Sequence, residues 1–418
     1  MYMVNQKVLR YGRERSCIRE LFEYGRRQAA IVGSENVFDF SLGNPSVPPP
    51  SEVNDAIREI LENDPPLKAH GYTSAVGADD TREAIAAALT ERLGRPFTKR
   101  NICVTCGAAA ALVSSLHAFY RGRDSEAVCI APFFPEYTCF IEAAGIKQVI
   151  VPPDMQNFQI DLEALERALN ENTCCVIINS PNNPTGTIYT KETLKALGGL
   201  LAKKSEEMGH TIYLISDEPY RELVYDGAEV PYVPEFYPNT IICYSYSKSL
   251  SLSGDRIGYM CVPDCMENFD DVCDATAGAA RACGYVCAPA MIQRVIAKCA
   301  HIMPDLEPYK RNRRLLYEGL AGMGYECVEP DGAFYLFVKS PIGSSKLFSD
   351  LAKTYNLLIV PGDDFGCPEY FRLSYCVDED MIRRSLPLFE RLMKTPKARR
   401  KGSWAAILRP QRAPSICY

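Results

Sequence analysis

Lys248 stands in the run Tyr244-Ser-Tyr-Ser-Lys-Ser-Leu-Ser-Leu-Ser-Gly-Asp-Arg-Ile-Gly-Tyr259, among small hydroxyl residues and with Arg256 eight positions further on. A lysine amine condenses with an aldehyde to a Schiff base, and serines together with an arginine can hold a phosphate. The pairing describes a site for pyridoxal 5'-phosphate, carried as a Schiff base on Lys248. An ordinary lysine is protonated at neutral pH and is a poor nucleophile. It therefore needs a desolvated site with cationic neighbours to lower its proton affinity. Displaced by a substrate amine, it would serve as the base that moves a proton between the substrate α-carbon and the cofactor C4'. The alternative for Lys248 alone is a surface lysine in a polar loop.

Other residues could do complementary work. Asp217 follows the apolar run 211–215 and would project from a strand's C-terminal end. A carboxylate there can keep a pyridine nitrogen protonated, although it could also cap a helix. The run Cys106-Gly-Ala-Ala-Ala-Ala-Leu112 follows an extended stretch at 101–105 and opens a helix. Free N–H groups at Gly107 and Ala108 suit an anion through the backbone, with Ser245 and Arg256 adding side-chain contacts. Arg372 can bind a carboxylate through two parallel hydrogen bonds, and its alternative is a strand-edge salt bridge.

Such residues need rigid elements to bring them together. Val128-Cys-Ile-Ala131, Cys174-Cys-Val-Ile-Ile178, Thr211-Ile-Tyr-Leu-Ile215 and Thr240-Ile-Ile-Cys-Tyr244 are short apolar runs between turn residues. Amphipathic stretches at 162–169 and 191–208 lie between them. That order reads as α/β, a mainly parallel sheet covered by helices, and such sheets bind ligands at their strands' carboxyl ends. Before it come a helical pattern at 17–27, an apolar run at 37–42 and a Pro-rich elbow at 45–50. After about residue 290 come a long helical stretch and two strand-like runs, 332–338 and 370–376. The two ends are expected to fold together as a smaller α+β domain. The expected divisions are 1–48, 49–290 for the large cofactor-binding domain, 291–393, and a basic tail at 394–418.

Composition narrows the class. The 418 residues are 47% apolar and 23% charged with a net charge of -6, ordinary for a globular enzyme and contrary to general nucleic-acid binding. The N-terminus has no apolar signal region, and no apolar run approaches the ~18 residues that span a bilayer. A cytoplasmic protein without a membrane partner is expected. Eighteen cysteines and four histidines are scattered without zinc-ligand spacing. Cys103-Val-Thr-Cys106 has no second pair, so free thiols and no metal are expected. The stretch 394–418 holds seven basic residues, no acid and the single Trp404. It lacks helical or strand periodicity and reads as a disordered extension, the alternative being an arm for an anionic partner.

Four segments resemble the fold-type I, class I/II aminotransferase family: Ser180-Pro-Asn-Asn-Pro-Thr-Gly186, Ser216-Asp-Glu-Pro-Tyr220, the Lys248 run and Phe371-Arg-Leu-Ser374. Leu42-Gly-Asn-Pro45, Gly71-Tyr-Thr73 and Pro132-Phe-Phe-Pro-Glu-Tyr137 look like the family's other signatures, and the resemblance spans about residues 15–393. It implies that Tyr220 and Asn183 hydrogen-bond the cofactor O3', that Phe134 stacks on its ring, and that Asp217 holds its nitrogen. It implies Arg372 for the substrate α-carboxylate, with Gly43 on the loop closing over it. Tyr72 resembles the tyrosine that reaches a neighbouring subunit's phosphate, which implies a homodimer with shared active sites. The family's usual hydroxyl is replaced here by Ala108, and its usual tryptophan by Asp255. Arg281 and Tyr285 are the two positions near the family's side-chain pocket.

The resulting expectation is a ping-pong aminotransferase acting on an L-amino acid, of aspartate or aromatic type, and a 2-oxo acid such as 2-oxoglutarate. The alternatives are a C–S β-lyase resembling cystathionine β-lyase, a decarboxylase or cyclopropane-forming synthase, and a non-catalytic sensor that binds the same cofactor.

Overall fold

The computed structural model describes residues 4–13 and 17–399. In chain order its strands are β1 (Phe38–Asp39), β2 (Ile102–Thr105), β3 (Glu126–Ile130), β4 (Lys147–Val151), β5 (Thr173–Asn179) and β6 (Tyr213–Asp217). They continue with β7 (Thr240–Ser245), β8 (Gly258–Cys261), β9 (Tyr335–Lys339), β10 (Leu357–Leu358), β11 (Val360–Pro361) and β12 (Tyr370–Ser374).

Every residue of β3, β5 and β7 is buried, which is why these runs are apolar at successive positions rather than alternating. They belong to a seven-stranded sheet of order β2-β8-β7-β6-β5-β3-β4. Strands β7, β6, β5, β3 and β4 pair in parallel, and β8 runs antiparallel to both neighbours. One set of helices, including Ala108–Ala118, packs Ala111, Leu112 and Leu116 against Cys129, Ile177 and Met260. Another, Leu162–Ala168 with Lys191–Met208, packs Leu165, Leu194 and Leu197 against Val128, Val176 and Leu214. The parallel register sets Asn179 beside Asp217 and Asp217 beside Cys243, so β5, β6 and β7 end at one edge.

A smaller sheet of order β11-β12-β9 is antiparallel, and β1 pairs in parallel with β10. Phe38 and Phe40 are buried in one cluster with Leu316, Phe348, Phe371 and Phe389. The two ends of the chain thus share a core, and the fold is α/β with a smaller sheet beside the large one.

Four boundaries differ from the sequence pattern. Strand β6 begins at Tyr213, two residues late. Strand β9 begins at Tyr335 because Ala333 adopts a left-handed φ of 57°, which turns the chain before it extends. The helix Ala290–Cys299 lies beyond the expected 290 boundary, yet Ile292, Val295 and Ile296 pack with Val53, Ile60 and Ile85 in the large-sheet part. The last helix, Glu379–Arg399, continues six residues into the stretch expected to lack structure. An ion pair between Lys394 and Glu390 one turn earlier and a hydrogen bond between Thr395 and Tyr355 hold that extension. The rest of the basic tail, Trp404 included, lies outside the described residues.

All described cysteines are free thiols. Among the described residues no helix is long and apolar enough to cross a membrane, and no cluster of acidic, His and Cys residues could hold a metal ion.

Candidate active site

The carboxyl ends of β5, β6 and β7, the start of the helix Ala108–Ala118, and strands β9 and β12 surround a cavity of about 280 Å³. Lys248, Asp217, Tyr220, Asn183, Arg256 and Arg372 all line it, as do Gly43, Ala108, Phe134 and Ser245. Residues far apart in the chain converge because parallel strands deliver successive loops to one edge.

Lys248 sits on a single helical turn, Tyr246–Ser249, that opens directly from β7. Ser245 caps the turn, its hydroxyl accepting from the Ser247 N–H. The Lys248 amine donates to the Gly43 carbonyl at 2.5 Å and lies 5.5 Å from the Phe334 ring centre and 5.9 Å from that of Tyr220. Burial lowers its pKa to about 8; Arg372 and Arg256 push the same way and Cys376 opposes them. This is the softened amine that a Schiff-base lysine needs.

Asp217 ends β6 and is buried. Tyr137 donates to its Oδ2, while Oδ1 is buried with no partner among the described residues. Burial raises the carboxyl pKa to about 7, with Glu218 adding to the rise and the Tyr137 hydrogen bond opposing it. A buried carboxylate oxygen without a donor is costly. A cationic ring N–H is the kind of group that would satisfy it.

Arg372 on β12 is only 1% exposed. One of its Nη groups donates to Asn183 Oδ1 at 2.9 Å, the other to the Ser41 carbonyl at 2.5 Å, and Nε is buried without a partner among the described residues. Since a guanidinium only donates, Asn183 must turn its oxygen towards it, which leaves the Asn183 amide nitrogen as the free donor. The Arg372 guanidinium carbon lies 4.5 Å from the Tyr335 ring centre and 5.2 Å from that of Phe365. The alternative, a strand-edge salt bridge, is absent among the described residues. Arg372 is a buried cation held by neutral acceptors and aromatic faces, a site prepared for an anion.

Ala108, Ser245 and Arg256 line another part of the cavity. Gly107, with a φ of 84°, precedes the helix Ala108–Ala118, and Arg256 sits so close that a Cβ on Gly107 would come 3.0 Å from its Nη2. Arg256 donates to the Ser253 and Cys106 carbonyls. Helix N–H groups, the Arg256 fork and the Ser245 hydroxyl together suit a phosphate.

Three singled-out residues lie elsewhere. Tyr72 is 94% exposed and does not line the cavity. Arg281 is exposed in the last turn of the helix Phe269–Ala282. Tyr285 lines a separate small cavity with Cys106 and Cys287. The structure also brings in residues that sequence reasoning did not single out: Tyr335, Tyr137, Pro219, Ile18 and Phe140. Tyr137 closes the Pro132–Tyr137 signature, so its position carried a signal. Tyr335 lay within an apolar strand run and read as core.

The family model for class I and II aminotransferases matches residues 35–387. The aspartate/prephenate aminotransferase of Thermus thermophilus is 30% identical over 363 residues, covering 84% of this chain and 90% of its own. Among solved structures, an amino transferase from Eubacterium rectale superposes with a TM-score of 0.92 at 52% identity, covering 94% of this chain and 99% of its own. The aspartate aminotransferase from Thermus thermophilus with maleate gives a TM-score of 0.82 at 26% identity, covering 94% and 100%.

Proposed function

From the premise that the chain belongs to the class I and II aminotransferases, which use pyridoxal 5'-phosphate, we propose that it moves the amino group of an L-amino acid with an aromatic-type side chain to a 2-oxo acid such as 2-oxoglutarate. The lining of the cavity carries this reading of the donor. Its only cations among the described residues are Lys248, Arg256 and Arg372. Each has a task at the cofactor or the substrate α-carboxylate, so this chain's own lining leaves none for a second carboxylate. The remaining wall includes Ile18, Leu112 and Phe140, which suit an apolar side chain.

When bound, pyridoxal phosphate supplies an aldehyde that takes up the amino group and a ring that draws electrons from the substrate α-carbon. Lys248 would carry the aldehyde, and Asp217 Oδ1 would hold the protonated ring nitrogen. The Asn183 amide and the Tyr220 hydroxyl would donate to the phenolic oxygen, with Phe134 and Pro219 against the ring. Ser245, Arg256 and the N–H groups at Gly107 and Ala108 would bind the phosphate. Arg372 orients the substrate through its α-carboxylate, which fixes where the α-hydrogen points. Displaced from the aldehyde by the substrate amine, Lys248 would take the proton from that carbon and pass it to the cofactor C4', and the surrounding Tyr220 and Phe334 rings would limit water around the transfer.

The second copy belongs to the same proposal. Tyr72 at 94% and Leu67 at 89% exposure are apolar surface that a homodimer would cover, with Tyr72 reaching the partner's phosphate.

A donor panel tests the reading. L-phenylalanine, L-tyrosine and L-aspartate are compared by kcat/KM with 2-oxoglutarate, with pyruvate and ammonia assayed alongside. The aromatic donors are expected to exceed aspartate by about tenfold or more, as ~1.4 kcal/mol of side-chain burial gives. A preference for aspartate would overturn the donor assignment, and release of pyruvate with ammonia would mark a β-lyase.

A further inference from the structure

Tyr335 stands on β9 of the small sheet, is buried, and lines the cavity. It touches three groups of the site at once. Its hydroxyl lies 3.0 Å from the hydroxyl of Tyr220, and the two rings meet edge to face at 5.7 Å. Its face carries the Arg372 guanidinium at 4.5 Å. Its hydroxyl also fills the place where a side chain on residue 43 would begin, 1.9 Å from a Cβ on Gly43, whose carbonyl holds the Lys248 amine.

A count of protons gives the tyrosine pair a direction. Burial raises the pKa of Tyr335 to about 12 and that of Tyr220 well above its usual value, so both hydroxyls keep their protons. Neither has another hydrogen-bond partner among the described residues. Two protons serve one contact, which leaves one O–H free to donate into the cavity. If Tyr335 donates to Tyr220, the proton on Tyr220 is the free one and is strengthened as a donor by the bond behind it.

We propose that Tyr335 is a positioning residue that ties Arg372, where the substrate carboxylate binds, to Tyr220, which donates to the cofactor's phenolic oxygen. The inference rests on the function proposed above. Its ring and its hydroxyl have separate tasks: the ring seats Arg372, and the hydroxyl supports Tyr220.

Two variants separate them in the holoenzyme. Tyr335→Phe keeps the ring and loses the hydroxyl. The pH midpoint of the bound cofactor's visible absorption should rise by about half a unit, the size of one modest hydrogen bond, with KM for the amino donor within about twofold. Tyr335→Leu loses both, and KM should rise about tenfold as the cation–aromatic contact goes. An unmoved midpoint in Tyr335→Phe overturns the proposal, and so does an unmoved KM in a folded Tyr335→Leu protein. If the leucine variant does not fold, the phenylalanine variant decides alone. Wild-type protein that takes up no pyridoxal phosphate would overturn the functional reading itself, before either variant is compared.

Discussion

The Tyr137 hydroxyl donates a 2.5 Å hydrogen bond to Oδ2 of Asp217, and the second carboxylate oxygen of Asp217 is buried without a partner among the described residues. Tyr137 is itself pushed well above its usual pKa, by burial first and then by Asp217, so it remains a donor at any physiological pH. One oxygen is fixed by Tyr137, and the other has no donor among the described residues.

Replacing these two residues should therefore have unequal effects. Asp217→Asn preserves shape and removes charge, so kcat should fall at least about a hundredfold. Tyr137→Phe removes one hydrogen bond to a charged group, so kcat should fall about tenfold. Steady-state turnover with a saturating aromatic donor and 2-oxoglutarate checks both. Equal losses would mean that Asp217 acts only through its contact with Tyr137.

The raised Asp217 pKa makes a statement about stability in the cofactor-free protein. Its folded value of about 7 lies above the unfolded 3.8, so the folded state holds a proton that the unfolded state has released. This contribution is complete below about pH 4 and is lost as pH rises to about 7, on the order of 4 kcal/mol across the window. Urea unfolding of cofactor-free protein at several pH values should show that decline, and Asp217→Asn should flatten it. Added pyridoxal phosphate should also flatten it, because a cationic ring nitrogen favours the charged carboxylate.

Arg372 should not tolerate replacement by lysine. Lys keeps the charge but cannot bridge Asn183 and Ser41 while presenting parallel donors to a carboxylate. Arg372→Lys should raise KM for every amino donor alike, by roughly tenfold to a hundredfold. A panel of donors checks this; a loss confined to one side chain would move Arg372 from the shared α-carboxylate to the specificity pocket.

Gly43 is required for want of space. A methyl group there would meet the Tyr335 hydroxyl at 1.9 Å and the ring carbon bearing it at 2.9 Å. Gly43→Ala should displace the carbonyl that holds Lys248 and lower kcat about tenfold. Adding Tyr335→Phe removes the closest atom and should restore part of the loss, which a double-mutant cycle on kcat measures.

Much of this was legible from the chain. The helix Lys191–Met208 matched its apolar periodicity, and the runs that became β3, β5, β6 and β7 were apolar enough to mark a sheet covered on both faces. Lys248, Asp217, Asn183, Tyr220, Arg256 and Arg372 could be picked out because their side-chain chemistry is specific, and the cavity gathers all six. What escaped had no such signature. The carbonyls of Ser41 and Gly43, which hold Arg372 and Lys248, belong to backbone that any residue carries. Tyr335 sits in a run where an aromatic residue reads as packing, and only the fold shows that its hydroxyl meets Tyr220. The helix Ala290–Cys299 lies beyond the division expected at 290, yet its apolar face is buried in the large-sheet core.

The most direct measurement is a single half-reaction. L-phenylalanine is added alone to holoenzyme, and the cofactor's yellow absorption and the released 2-oxo acid are followed together, in wild type and in Lys248→Ala. Wild-type protein should lose the absorption and release one equivalent of 2-oxo acid per site, and in a separate sample without donor borohydride should fix the cofactor to Lys248. Lys248→Ala should do neither at a comparable rate. Undiminished conversion by Lys248→Ala, or cofactor fixed to another lysine, would contradict the assignment of Lys248 as the residue that carries the cofactor and moves the proton.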